Sequence, residues 1–160
     1  MAKDRIPATQ AVRTLKQHKV NFTLHPYNYE DKGGTETAAR QLNVEEHSVV
    51  KTLVMEDDKG NPLLMLMHGD KQVSTKALAR TLGVKRVTPC APEVAHRHTG
   101  YIVGGISPFG TRKPLRVCVE ASIMDLSKIY INAGRKGLLA EIAPGDLARI
   151  LNPTAVNASI

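Results

Sequence analysis

Lys51 stands in the run Val49-Val50-Lys51-Thr52-Leu53-Val54-Met55, a β-branched, apolar segment with one cation in its middle. Such a run reads as a β-strand. Along it Val49, Lys51, Leu53 and Met55 point to one face, and Val50, Thr52 and Val54 to the other. Both faces are apolar, so the strand is expected to be central, with Lys51 among buried neighbours. A buried ammonium is costly unless it meets an anion or loses its proton. Lys51 therefore calls for a partner. A ligand phosphate or a polarised carbonyl would serve; so would a carboxylate, or water reached by snorkelling to the rim.

Two loops carry a complementary chemistry. Gly104-Gly105-Ile106-Ser107-Pro108-Phe109-Gly110 combines glycines with a Ser-Pro step. Glycine lets backbone approach a ligand closely, and free N–H groups in such a loop can bind an oxyanion or a phosphate. It is not a GxxxxGK[ST] phosphate loop, because no Lys-Ser or Lys-Thr follows. The second loop, Asn132-Ala133-Gly134-Arg135-Lys136-Gly137, sets two cations beside strand ends. It reads either as a phosphate clamp or as a basic hairpin turn. His96 and His98 are two apart on an expected helix and aim in different directions; with Cys90 they match no standard zinc spacing. GxSxG, HExxH and CxxC patterns are missing, and neither a metal nor a cofactor is expected.

The elements that must position these groups follow from periodicity and punctuation. Thr9 caps a first helix carrying Val12 and Leu15 to about residue 18. Residues 22–25 read as a short strand stopped by Pro26. After a polar loop, Thr35 starts a second helix through Ala38, Ala39 and Leu42, with Thr37 as an alternative cap. Residues 58–61 turn the chain, and 63–67 return as the second strand of a hairpin. Ser74 caps a helix carrying Leu78, Ala79 and Leu82, closed by Gly83. Pro92 opens another toward His98. Further strands are predicted at 84–87, 99–103, 115–119, 129–132 and 138–142, and Pro144 starts a last helix with Leu147, Ile150 and Leu151. About seven strands and four or five helices, with strands in hairpin-like clusters, predict an α+β fold with a mixed, barrel-like sheet curled around a pocket.

The bulk numbers narrow the partners. At 160 residues the chain suits a single domain over 1–160. Aromatics are only 4% with no Trp, which argues against a binder that stacks bases on a row of rings. Lys plus Arg is 22 against 15 for Asp plus Glu, and the net +7 favours polyanionic partners. Cys90 and Cys118 form no close pair, so a reducing, cytoplasmic setting is expected. No apolar run approaches the roughly 20 residues that span a bilayer, so no membrane partner is expected. Lys3-Asp4-Arg5 before Pro7 does not read as a signal peptide.

As an ordered set these segments are specific: 49–54, 99–110, 131–138 and the closing Glu141-Ile142-Ala143-Pro144-Gly145-Asp146-Leu147. Together they resemble the YbaK family of Cys-tRNA(Pro) deacylases, related to the editing domain inserted in bacterial prolyl-tRNA synthetases. The resemblance runs from the first helix to about Leu151. It implies clearance of mischarged tRNA at its 3′-terminal aminoacyl-adenosine, with prolyl-tRNA synthetase as a partner and cysteine as the amino acid removed. Alanine or another small amino acid is the alternative. The family's essential lysine matches Lys51, and its Gly-x-x-x-Pro loop matches Gly104, Gly105, Ile106, Ser107 and Pro108. Lys51, Gly104, Gly105, Ser107 and Pro108 are thereby implied in catalysis. Tyr27, Thr52, Ile106, Asn132, Gly134 and Arg135 are implied in substrate binding, with the match at Asn132 the loosest. Two rival classes are a non-catalytic RNA-binding module and a relative that has lost activity. The missing aromatic platform counts against the first, and the presence of Lys51 with an intact glycine loop against the second.

Overall fold

In the computed structural model, which describes residues 7–160, the elements run α1 (Gln10–Gln17), β1 (Thr23–Pro26), α2 (Gly34–Leu42), β2 (Val49–Asp57), β3 (Pro62–His68), α3 (Thr75–Leu82), β4 (Val87–Pro89), α4 (Pro92–Thr99), β5 (Arg116–Glu120), β6 (Ile129–Asn132), β7 (Leu138–Ile142), α5 (Gly145–Leu151) and β8 (Thr154–Val156). The segment Lys3-Asp4-Arg5 lies outside the described residues. The helix signals act as expected. Thr9 Oγ1 accepts from the Val12 N–H at 3.0 Å, and Ser74 Oγ from the Ala77 N–H at 3.1 Å. Gly83 ends α3 in the left-handed region, where a side chain would be strained. Thr37 lies inside α2 rather than capping it; Gly33 holds the N-cap position and makes no side-chain bond.

The strands form one mixed sheet in the order β1-β7-β6-β2-β3-β5-β8, with β4 on the edge of β2. The predicted hairpin pairs β2 with β3 in register from Val50 opposite His68 to Glu56 opposite Pro62. The β2–β6, β3–β5 and β5–β8 pairs are parallel, the others antiparallel. The path ends at β1 and β8 instead of closing, so barrel-like describes its curl only loosely.

Alternation along the strands sorts the side chains into two layers. On one face Val50, Val54, Leu64, Leu66, Val117, Val119, Ile129 and Ile131 pack with Leu15 of α1, Ala95 of α4 and Leu147 of α5. On the other, Met55, Met65, Met67 and Cys118 pack with Leu78 and Ala79 of α3, while Val49, Tyr130 and Leu139 pack with Ala38 and Ala39 of α2. β2 and β3 are therefore central and covered on both sides, which is why their sequences are apolar at nearly every position.

One predicted strand is absent. Residues 99–103 spend their backbone groups on turns. Gly100 caps α4 at φ 82°, donating to His96 O at 2.8 Å. The Tyr101 N–H donates to Thr99 Oγ1 at 3.0 Å, and the Gly105 N–H to Ile102 O at 2.8 Å. An unpredicted strand, β8, runs parallel to β5. The tail beyond it is held where Glu120 Oε1 accepts the Ala158 N–H at 2.7 Å.

Candidate active site

One edge of β2 changes neighbours along its length. Val49 and Val50 pair with Tyr130 and Ile131 of β6. Met55, Glu56 and Asp57 pair with β4, and the Cys90 N–H reaches Val54 O at 2.9 Å. Between these contacts residues 51–53 have no strand on that edge. Where β6 and β4 diverge, a cavity of about 650 Å³ opens over Lys51, Thr52 and Leu53. It is the right size for a small ligand group, and its largely apolar wall also carries the charged side chains of Asp31, Lys32, Lys51 and Lys136.

Lys51 is half-buried, and no carboxylate among the described residues forms an ion pair with it. Burial pushes its ammonium below the ordinary lysine value, and the more distant charges of Glu46 and Asp70 only partly offset this. Both acids are engaged elsewhere. Thr35 Oγ1 donates to Glu46 Oε2 at 2.7 Å, and His47 Nδ1 bonds Asp70 Oδ1 at 2.9 Å. Thr35, thus pinned, sets the first turn of α2 against the cavity beside Gly34 and Ala38. Lys51 is a partly desolvated cation with no ion-pair partner among the described residues, open to an anion or a polarised carbonyl. Next to it in the strand, Thr52 Oγ1 is buried without a hydrogen-bond partner among the described residues.

The two glycine loops form the facing wall and are built as a unit. Asn132 Oδ1 accepts the N–H groups of Gly134 at 2.6 Å and Arg135 at 3.1 Å. Its Nδ2 donates to Arg135 O at 3.1 Å and Gly104 O at 3.4 Å. Gly105 is buried against the second loop. A Cβ there would lie 2.7 Å from Lys136 N and 2.9 Å from the Arg135 carbonyl carbon. Gly104, at φ +96°, approaches the Tyr29 hydroxyl, and Lys136 Nζ lies 5.0 Å from the centre of the Tyr29 ring.

Among the predicted site residues, Lys51, Thr52, Tyr27, Gly104, Ile106 and Asn132 line the cavity together. The N–H groups of Gly104 and Ile106 make no hydrogen bond within the described residues, whereas that of Gly105 is used in its turn. Ser107, Pro108, Gly105 and Gly134 stand behind this surface. Ser107 is fully buried, its hydroxyl accepting from the Phe109 N–H at 3.2 Å. Arg135 is exposed and off the cavity wall, where its neighbour Lys136 stands instead. Tyr29, Asp31, Lys32, Gly34, Thr35, Ala38, Val49, Val50, Leu53, Val103, Lys136 and Leu139 complete the lining and were not singled out as site residues from sequence. Tyr29 had a detectable signal: it shares the face of Tyr27 if the chain stays extended past β1.

The first loop hangs on Tyr101, whose hydroxyl donates to Phe109 O at 2.6 Å. Burial pushes this phenol up to about 12. The neutral form is thus favoured by folding. Its contribution is fully present below the unfolded value of 10.0 and is lost as pH rises through about 12. Alkaline unfolding should therefore cost the wild type about 2 to 3 kcal/mol across that window. Tyr101→Phe should be less stable at neutral pH and show a flatter decline. Chemical denaturation at pH 8 through 12 measures both, and parallel curves would exclude this anchor.

Three other ligand-type groups converge. His47, His68 and Asp70 have donor atoms within 4.8 Å of one another. The two rings are stacked, centroids 3.7 Å apart and 7° from parallel, so their in-plane lone pairs cannot meet on one ion. His68 is moreover committed at both nitrogens, to His47 O and Ser122 Oγ, each at 2.7 Å. This is a hydrogen-bonded support for the β3 end behind Lys51.

The profile of the aminoacyl-tRNA editing domain matches residues 30–150. EbsC of Enterococcus faecalis, named as a candidate Cys-tRNA(Pro)/Cys-tRNA(Cys) deacylase, is 31% identical over 145 residues, covering 90% of this chain and 88% of that protein. A proline–tRNA ligase of Streptococcus equi subsp. zooepidemicus is 30% identical over 96 residues, covering 60% of this chain and 15% of the ligase. The fold recurs in the crystal structure of hypothetical protein APE2540, with TM-score 0.86, 23% identity and coverage of 94% of this chain and 99% of that one. It also recurs in a candidate trans-editing enzyme for prolyl-tRNA synthetase, with TM-score 0.82, 20% identity and coverage of 97% and 99%. With the matched region spanning both glycine loops and the Lys51 strand, the chain belongs to the aminoacyl-tRNA editing domain family.

Proposed function

We propose that this chain removes cysteine from mischarged tRNA(Pro), acting in the cytoplasm as a separate editing factor beside prolyl-tRNA synthetase. The observation that carries this reading is Lys51, a half-buried cation with no ion-pair partner among the described residues, sharing one small cavity with Gly104 and Ile106, whose N–H groups are unpaired there. The name of EbsC and the kinship with proline–tRNA ligases support it.

The ester between amino acid and ribose is already activated, so positioning counts for more than a strong protein nucleophile. Among the described residues no Ser, Cys or His lines the cavity, and Thr35 Oγ1 is engaged with Glu46. The attacking group in this reading is the substrate's own thiol or a water. With the thiol, a C–S bond forms at the carbonyl carbon and the C–O bond to ribose breaks. The ribose oxygen leaves as a hydroxyl, taking up the thiol proton. In either case negative charge grows on the carbonyl oxygen. The loop N–H groups meet it, each such donor being worth about 3 kcal/mol in the transition state. Lys51 holds the carbonyl or the terminal adenosine phosphate.

The test is a panel of charged tRNAs: Cys, Ala, Ser and Pro on tRNA(Pro), and Cys on tRNA(Cys). Cysteine should be released under multiple turnover at least about 10-fold faster than alanine, the scale of discrimination available to a small pocket. Faster release of alanine would reassign the substrate. Binding without release would replace the enzyme by an RNA-binding module.

A further inference from the structure

A second concavity, of about 380 Å³, lies between α3 and β4 and is lined by Lys76, Arg80, Lys85 and Arg86 together with Thr75, Ala79, Val84 and Val87. All four cations are exposed, and none forms an ion pair among the described residues. Lys76 and Arg80 are one helical turn apart on α3, a spacing at which like charges repel. Lys85 and Arg86 follow the Gly83 cap and close the other side. The nearby acid Asp58 is held by the Lys85 backbone N–H at 3.1 Å, which is a bond to the main chain and leaves the Lys85 ammonium free. Four like charges gathered around one hollow, with no ion-pair partner among the described residues, form a surface that attracts an external polyanion.

Its position relative to Lys51 says which polyanion. α3 packs on the sheet face that carries Met55 and, by alternation, Leu53 and Lys51. Val87 at the edge of the hollow pairs with Asp57 of β2. From Lys51 to Asp57 the strand spans about 20 Å at the usual rise. A terminal nucleotide held at Lys51 would thus be joined to the hollow by a short single-stranded stretch running over one face of the protein. Double-helical RNA is recognised chiefly through its backbone, by cations and without aromatic stacking. The hollow offers four cations and no aromatic side chain.

We infer that Lys76, Arg80, Lys85 and Arg86 form a docking surface for the phosphate backbone of the tRNA acceptor stem, while the 3′ end enters the Lys51 cavity. The inference rests on the proposed deacylase reading for its orientation, and its test separates the two. The quadruple variant K76Q/R80Q/K85Q/R86Q alters only exposed side chains. It should bind uncharged tRNA at least about 10-fold more weakly at 0.1 M salt, with the log–log salt slope reduced by about 3. It should raise KM for Cys-tRNA(Pro) while cleaving the short ester cysteinyl-adenosine at the wild-type rate. Unchanged tRNA affinity and salt slope would overturn the inference. So would a variant that keeps tRNA binding and loses only association with prolyl-tRNA synthetase, which would make the hollow a protein-docking surface. If the wild type binds tRNA through these residues and yet cleaves neither substrate, the docking surface stands and the deacylase reading falls.

Discussion

Lys51→Ala is expected to slow single-turnover deacylation of Cys-tRNA(Pro) by about 100- to 1,000-fold, the range seen when one charge-stabilising donor is removed. The fold should survive. Lys51 makes no ion pair among the described residues, so its removal strands no buried carboxylate there; Glu46 and Asp70 keep their bonds to Thr35 and His47. A sharper form of the experiment uses Lys51→Met, which keeps the apolar stem and discards the charge. Because burial lowers the Lys51 value, the folded protein binds this proton less tightly than the unfolded chain does. Across the window from that lowered value up to 10.5 the wild type gains stability as pH rises; below it the full cost of the desolvated charge is present. Lys51→Met should therefore melt no lower than wild type at pH 7, and higher if the cavity packs well, while being inactive. Wild-type activity should in turn fall as pH climbs through the lowered lysine value, before 10.5 is reached. Full activity in either variant would remove Lys51 from the chemistry.

Gly105→Ala is the second large effect. The backbone there is not in the left-handed region, so an alanine is conformationally acceptable. The obstacle is contact. Its Cβ would press to 2.7 Å from Lys136 N and 2.9 Å from the Arg135 carbonyl carbon, both main-chain atoms that cannot rotate aside. Overpacking of this kind costs about 1 to 3 kcal/mol, or a fall in Tm of roughly 3 to 10 °C for a chain of this size. Activity should drop further than stability. Parting the two loops shifts Gly104, Ile106 and Lys136 together, and a displacement near 1 Å costs about 100-fold in rate. Gly145→Ala serves as the control, since a Cβ there meets nothing within 4 Å. If Gly105→Ala matches the control in both Tm and rate, the loops do not act as one wall.

Much of this was legible in the residues. Ser74 and Gly83 bracket α3 because capping is a local property, decided within one turn. The β2–β3 hairpin was legible because both strands are buried on both faces and their pattern has no competing explanation. Residues 99–103 misled because Tyr101, Ile102 and Val103 have strand-like side chains, while their backbone is claimed by Thr99 Oγ1 and the Gly100 cap. β8 was invisible: Thr154, Ala155 and Val156 become a strand only through pairing with β5. In the site, Lys51 could be found from the cost of burying it. That Lys136 rather than Arg135 faces the cavity could not, because in a turn held by Asn132 the choice between adjacent cations depends on a geometry set by Gly104 and Tyr29.

The break in pairing along β2 has a consequence beyond ligand access. Residues 51–53 present main-chain donors and acceptors on an edge flanked by Val49, Val50 and Val54, the composition that recruits a strand from another molecule. A cation in such an edge opposes that recruitment, and so does the brevity of the gap. The lysine proposed to hold the substrate would thus have a second effect: the charge that is costly to bury is also one that discourages a second copy of the chain from adding a strand at this gap.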